Sequence, residues 1–274
     1  MAGHQALREA VGMKLTVNNI SQRYGSNEVL KDVSFSACSG EVVALLGPNG
    51  SGKSTLIKTL CDLMPPKAGK VDIDGRDVAC LQPIERAKLI GYVPQNVQHA
   101  PFTTVLDTVL VGRRPYVQWS YSMDDLDMAS RAMETMDILD LRGRYVNELS
   151  GGQRQRVFIA RALAQSPQFY LFDEPTSSLD LKHQLRTMRI MHEVVHGQDR
   201  GMIVAMHDLN LALRYSDKVL MLKDKGVYAY GRPEDVLTPE AIHDVYGVES
   251  FIMESERGLF IVPDEPSDGT CAEG

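Results

Sequence analysis

Gly47-Pro48-Asn49-Gly50-Ser51-Gly52-Lys53-Ser54 follows the apolar run Glu41-Val42-Val43-Ala44-Leu45-Leu46 and opens onto an apolar helical stretch at 55–63. A buried strand, a glycine-rich turn and a helix in that order fit G-x-x-x-x-G-K-[ST], whose glycines let successive backbone N–H groups face phosphate oxygens. The helix start adds its partial positive charge. In this pattern Lys53 is placed to meet the β and γ phosphates of a nucleotide, and Ser54 to hold Mg²⁺. An ordinary glycine-rich turn carrying Lys-Ser is the competing reading, and the flanking strand and helix count against it.

A carboxylate pair stands where such a loop needs a metal ligand. Phe169-Tyr170-Leu171-Phe172 reads as a buried strand ending in Asp173-Glu174, so Asp173 suits Mg²⁺ and Glu174 suits an attacking water. A solvated turn is the alternative for paired acids at a strand end. Further along, Leu149-Ser150-Gly151-Gly152-Gln153 precedes the helical pattern of Val157, Ile159, Ala160 and Leu163. Ser150 and Gln153 form an S-x-x-Q capping box. A Ser hydroxyl with Gly N–H groups at a helix start also makes a second phosphate cradle, one more than a single nucleotide on one chain needs. The surplus predicts a nucleotide shared between two copies.

With these motifs in this order, the chain resembles an ATP-binding cassette (ABC) subunit over about 15–251. The resemblance implies an α/β fold, a P-loop NTPase cassette core with a β-rich edge subdomain and an inserted helical subdomain. It implies ATP and Mg²⁺ as ligands and ATP hydrolysis as the activity. Gly47, Pro48, Asn49, Gly50, Ser51, Gly52, Lys53, Ser54 and Thr55 would bind the nucleotide in one copy, and Ser150, Gly151, Gly152 and Gln153 of the other copy would close the sandwich. Tyr24 sits where the family stacks an aromatic ring on adenine. Gln95, in Tyr92-Val93-Pro94-Gln95, matches the glutamine that senses Mg²⁺ and water. Asp180 matches the loop that crosses the dimer interface, and His207 the switch histidine that touches the γ-phosphate.

The stretches 207–217, Gly112-Arg113-Arg114-Pro115-Tyr116 and Gly231-Arg232-Pro233-Glu234-Asp235-Val236-Leu237 are similar to the cassettes of importers for iron chelates, haem and cobalamin. That likeness implies separate permease subunits in a membrane, docked near 96–104 with Phe102. It implies an extracytoplasmic substrate-binding protein acting through them, and a place at the cytoplasmic face of the membrane. A soluble cassette ATPase in iron–sulfur cluster assembly is the rival of similar length. A DNA machine would need a long coiled coil or a basic surface, and a P-loop kinase would lack the stretch at 149–153.

Composition narrows the field in the same direction. The chain has 274 residues, with 29 Lys and Arg against 36 Asp and Glu, so its net charge of −7 argues against general nucleic-acid binding. No apolar run approaches the roughly 18 residues of a bilayer span. Cys38, Cys61, Cys80 and Cys271 form no C-x-x-C pair, which fits reduced thiols. The expected organisation is a flexible extension at 1–12, one ATPase domain at 13–262 with its helical subdomain at about 96–165, and a disordered acidic tail at 263–274. Within the helical subdomain, Ser122 with Asp125 caps a helix whose Leu126, Ala129, Met133, Met136 and Leu139 make a core stripe. His192-Glu193-Val194-Val195-His196 satisfies H-E-x-x-H, but no third zinc ligand is evident, and a solvated helix face is expected there.

Overall fold

The computed structural model describes residues 12–95, 102–256 and 258–264. The N-terminal extension up to residue 11, most of the 96–104 segment and the acidic tail from 265 onward, with Cys271, lie outside the described residues.

Two sheets form the body. Strands β1 (Lys14–Tyr24), β2 (Asn27–Cys38), β4 (Ala68–Ile73) and β5 (Arg76–Asp77) make an antiparallel sheet in the order β2-β1-β4-β5. The second sheet runs β10-β9-β3-β8-β7-β6, built from β3 (Val42–Leu46), β6 (Ile90–Val93), β7 (Phe169–Asp173), β8 (Gly201–Ala205), β9 (Lys218–Lys223) and β10 (Gly226–Gly231). Its inner strands are parallel, and only β10 pairs antiparallel, against β9. Parallel strands are covered on both faces, which is why β3, β7 and β8 are buried at every position and, apart from Asp173 at the end of β7, carry no polar side chain but the Tyr170 phenol.

The period-2 alternation of a strand splits these residues between two cores. Val43 and Leu45 face one layer with Phe169 and Leu171, where helix α1 (Lys53–Leu60) and the antiparallel sheet pack. Val42, Ala44 and Leu46 face the opposite layer with Tyr170 and Phe172. There they meet α5 (Gly151–Gln165), α6 (Leu181–Gln198) and α7 (Leu209–Tyr215). The β-rich edge and doubly covered sheet expected of the cassette are both present.

Helix α1 occupies 53–60 rather than the expected 55–63. It starts at once after Gly52, whose φ of +100° only glycine adopts readily, and it ends because Asp62 turns left-handed at φ +55° ahead of two prolines. Short α2 (Pro83–Leu89) leads into β6. Among the described residues of the insert, α3 (Val105–Leu110), α4 (Met123–Thr135) and α5 pack on one another, linked by short 3₁₀ segments instead of unbroken helix. The Ser122–Asp125 capping box forms, and Ala129, Met133 and Met136 are buried as the stripe predicts. Arg113 Nε lies 2.9 Å from Asp125 Oδ1 and its Nη1 donates to the Ala164 carbonyl at 2.7 Å, tying the start of α4 to the end of α5. The Ser122 backbone N–H, aided by Arg113, holds the Asp125 carboxyl below the ordinary aspartate range.

After β10 come α8 (Pro233–Val236) and α9 (Pro239–Tyr246), the latter capped by Thr238 with proline at its first position, as its sequence predicts. Then β11 (Ser250–Ser255) and β12 (Gly258–Pro263) close the chain as an antiparallel hairpin. Most non-glycine residues with positive φ are Asn or Asp, which tolerate the left-handed region, but Phe102 (φ +61°) and Glu174 (φ +50°) are among the exceptions.

Candidate nucleotide site

The site lies at the carboxyl edge of the parallel strands, the usual position for ligands on such a sheet. The phosphate loop leaves the end of β3. Gln95 follows β6, Glu174 follows β7 and His207 follows β8, so three adjacent strands present one side chain each. Together with Asn49, Gly50, Gly52, Lys53, Ser54 and Thr55 they line a cleft of about 350 Å³.

Glu174 is held from both sides. Gln95 Nε2 donates to its Oε2 at 2.6 Å, and His207 Nε2 lies 2.5 Å from its Oε1. Its own backbone N–H reaches the Ala205 carbonyl at 3.1 Å, fixing the turn out of β7. Asp173, one residue earlier, accepts from Ser54 Oγ at 2.9 Å. Burial pushes the Asp173 carboxyl upward, against the pull of Ser54 and the nearby lysines. A hydroxyl and a carboxylate oxygen side by side are the hard oxygen donors that Mg²⁺ selects, so this pair fits that ion.

Lys53 Nζ folds back over its own loop, donating to the Gly47 carbonyl at 2.7 Å and to the Pro48 carbonyl at 3.1 Å. Burial lowers its pKa, while Glu174 and Asp173 act in the opposite sense. Inside the same loop the Ser51 hydroxyl is buried with no hydrogen-bond partner. A cation resting on carbonyls and an orphaned hydroxyl both leave capacity for phosphate oxygens. Tyr24, half exposed, sits beside the loop with its hydroxyl 3.5 Å from Thr55 Oγ1.

The other predicted residues stand apart from this cleft. Ser150 caps α5, accepting from the Gln153 N–H at 3.3 Å while Gln153 Oε1 accepts from the Ser150 N–H at 3.1 Å. A side chain on Gly152 would come within 3.3 Å of the Ser178 carbonyl, and Gly151 also borders Ser178, so the start of α5 abuts the loop that leads to Asp180. Asp180 caps α6 through the His183 N–H at 2.9 Å. Ser150, Gly151, Gly152, Gln153 and Asp180 are absent from the lining of the chain's own cleft.

The H-E-x-x-H stretch lies on α6. The His192 and His196 rings stack 4.0 Å apart, and the nitrogens of His196 face the His192 carbonyl and Asp217. Among the described residues no group of three or more His, Cys, Asp or Glu side chains could hold a metal ion, and no helix is long and apolar enough to cross a membrane. Cys38, Cys61 and Cys80 are free.

One contact was not foreseen: the Gly47 N–H donates to the Tyr246 hydroxyl at 2.9 Å, across 199 residues of sequence. No motif marks Tyr246.

The ABC transporter family model matches residues 30–177. An uncharacterized ABC transporter ATP-binding protein of Methanocaldococcus jannaschii is 46% identical over 91% of this chain and 97% of its own length. The probable siderophore transport system ATP-binding protein YusV of Bacillus subtilis is 37% identical over 85% of this chain and 86% of its own. The hemin import ATP-binding protein HmuV of Thermobifida fusca is 38% identical, covering 89% and 85%. Among solved structures, a chain described under an inward-facing, metal-chelate type ABC transporter superposes with a TM-score of 0.79 at 28% identity, over 92% of this chain and 98% of that one. A dimeric bacterial ABC transporter cassette gives 0.74 at 30% identity, over 80% and 98%. The chain belongs to the ABC transporter family, as one of its ATP-hydrolysing cassettes.

Proposed function

We propose that this chain is the ATP-hydrolysing subunit of an importer for a metal chelate such as an iron siderophore, haem or cobalamin. The clamping of Glu174 between Gln95 and His207, beside the Lys53 loop, carries the hydrolytic part of that reading. The likeness to siderophore and hemin import subunits supports the cargo.

In this reading the loop from Gly47 to Thr55 binds the triphosphate through backbone N–H groups, with Lys53 swinging from its carbonyls onto the β and γ phosphates. Ser54, Asp173 and Gln95 hold Mg²⁺, which supplies charge neutralisation on the phosphate oxygens. Tyr24 stacks on the adenine. Glu174 takes a proton from a water whose oxygen bonds to the γ-phosphorus as the bond to the ADP oxygen breaks, giving ADP and phosphate. His207 donates to the γ-phosphate and orients Glu174.

Ser150, Gly151, Gly152, Gln153 and Asp180 act across a dimer, since none of them reaches the cleft of its own chain. The dimeric cassette among the structural neighbours supports this. Glu174→Gln with saturating ATP is expected to dimerise, and adding Ser150→Arg should prevent it by placing a bulky cation where phosphate docks. Light scattering checks both, and a monomeric single variant or a dimeric double variant would rule the sandwich out.

Transport requires membrane-spanning permease subunits, to which an extracytoplasmic substrate-binding protein delivers the chelate. The chain then works peripherally at the cytoplasmic face of the membrane. Phe102, 76% exposed with its ring edge-on to Tyr145 at 6.1 Å, is the side chain offered to the permease. Phe102→Glu should cut permease copurification and cellular uptake of labelled chelate while leaving the ATPase activity of the isolated chain within about twofold. Unchanged uptake and copurification, or loss of basal hydrolysis, would move the docking surface elsewhere.

A further inference from the structure

Gly47, the first residue of the phosphate loop, is buried and held from three directions. Its φ is +147°, and a Cβ added there would come within 2.6 Å of both the Leu222 carbonyl of β9 and the Ser51 hydroxyl. Its carbonyl accepts from Lys53, and its N–H donates to Tyr246 at the far end of the chain. Tyr246 is placed there by packing. Ala241, Ile242 and Val245 of α9 are buried, and Gly247 ends the helix in the left-handed conformation, its N–H returning to the His243 carbonyl at 2.7 Å. The hairpin that follows is fastened a second time. Asn210, at the start of α7 and near His207, donates to the Ile261 carbonyl at 3.0 Å and accepts from the Ile261 N–H at 2.8 Å.

We infer that Tyr246 is a positioning residue for nucleotide binding: its hydroxyl fixes the corner where β3 becomes the phosphate loop, making the carboxyl-terminal unit part of the ATP site. This inference rests on the phosphate-loop reading above. A backbone N–H in a buried corner needs an acceptor, and Tyr246 is the one supplied. Burial drives the phenol pKa up to about 12, so the oxygen stays a neutral acceptor across the physiological range. Without that oxygen the corner relaxes to satisfy Gly47 elsewhere, and binding must then restore the geometry in which the loop N–H groups converge on phosphate. The reorganisation appears as lost affinity, while Glu174, Gln95 and His207 are untouched.

The test compares Tyr246→Phe, Tyr228→Phe and Lys53→Ala with wild type in the full chain. Tyr228 donates to Asp244 at 2.7 Å on the same part of the fold and does not line the nucleotide cleft, so its variant controls for loss of a phenol alone. Tyr246→Phe should weaken ATP binding by about 5- to 30-fold in calorimetry and raise KM by the same factor, with kcat within about twofold. Hydrogen exchange at the Gly47 amide should be slow in the wild-type chain and accelerate in Tyr246→Phe. Tyr228→Phe should match wild type in all three. A folded Tyr246→Phe variant that binds ATP within twofold of wild type overturns the inference, as does an equal loss in Tyr228→Phe. If Tyr246→Phe does not fold, the wild-type exchange still decides, since a Gly47 amide as fast as an exposed loop amide overturns the inference and one as slow as the β3 amides supports it. Lys53→Ala separates the two readings. Loss of binding there with none in Tyr246→Phe sinks the Tyr246 inference alone, whereas wild-type affinity in Lys53→Ala sinks the phosphate-loop reading itself.

Discussion

Glu174→Gln should lower ATP turnover by about 10²- to 10⁴-fold while ATP remains bound. The substitution keeps the volume of the side chain, with its oxygen placed to accept from Gln95 and its amide NH2 to donate to a neutral His207 ring nitrogen, so the cleft keeps its shape. What disappears is the ability to accept a proton from water. Phosphate release measured under saturating ATP, alongside calorimetric binding, separates the two effects. Turnover within tenfold of wild type would exclude Glu174 as the base, because among the described residues no other carboxylate lines the cleft.

Lys53→Ala is expected to weaken nucleotide binding by about 100-fold or more, with turnover lost at any practical ATP concentration. Its ammonium lines a cleft that already carries the Glu174 carboxylate, with Asp173 alongside. Removing it leaves the triphosphate facing those acids without compensation. Calorimetry with ATP and ADP checks this, and unchanged affinity would contradict it. The wild-type chain offers a second reading of the same charge. Burial holds the Lys53 pKa below that of a free lysine, and the charged form is the one that binds phosphate. Affinity should therefore be full well below that pKa and fade as pH rises through it, starting at a lower pH than free lysine would give.

Much of this site could be read from the chain because it is local. The phosphate loop, the Asp173-Glu174 strand end and the Ser150 capping box each lie within a few residues, and each type of residue is demanded by its immediate surroundings. The fold class came with the family likeness those segments carry, and an apolar run such as Val42–Leu46 without polar alternation agrees with it, as a strand covered on both sides. Other features were not legible there. That Gln95, Glu174 and His207 meet depends on β6, β7 and β8 being neighbours, a pairing that hydrophobic pattern alone does not specify; family likeness supplied it. The end of α1 at Leu60 rather than residue 63 depends on Asp62 turning left-handed, which apolar Leu63 and Met64 conceal. Tyr246 carries no signal at all, because its role comes from a single bond to a residue 199 positions away.

The left-handed backbone at Glu174 and Phe102 bears on how this sequence is free to change. At both positions glycine would relax the main chain, and Asn or Asp, used at most other such turns, would ease it in part. The chain keeps instead a long carboxylate and a bare aromatic ring, each in a handedness its type disfavours. Replacing either with glycine would make the turn easier and remove the side chain to which the proposed function assigns hydrolysis or permease docking. With the roles proposed above, an unstrained main chain and a working side chain make opposite demands at these two positions.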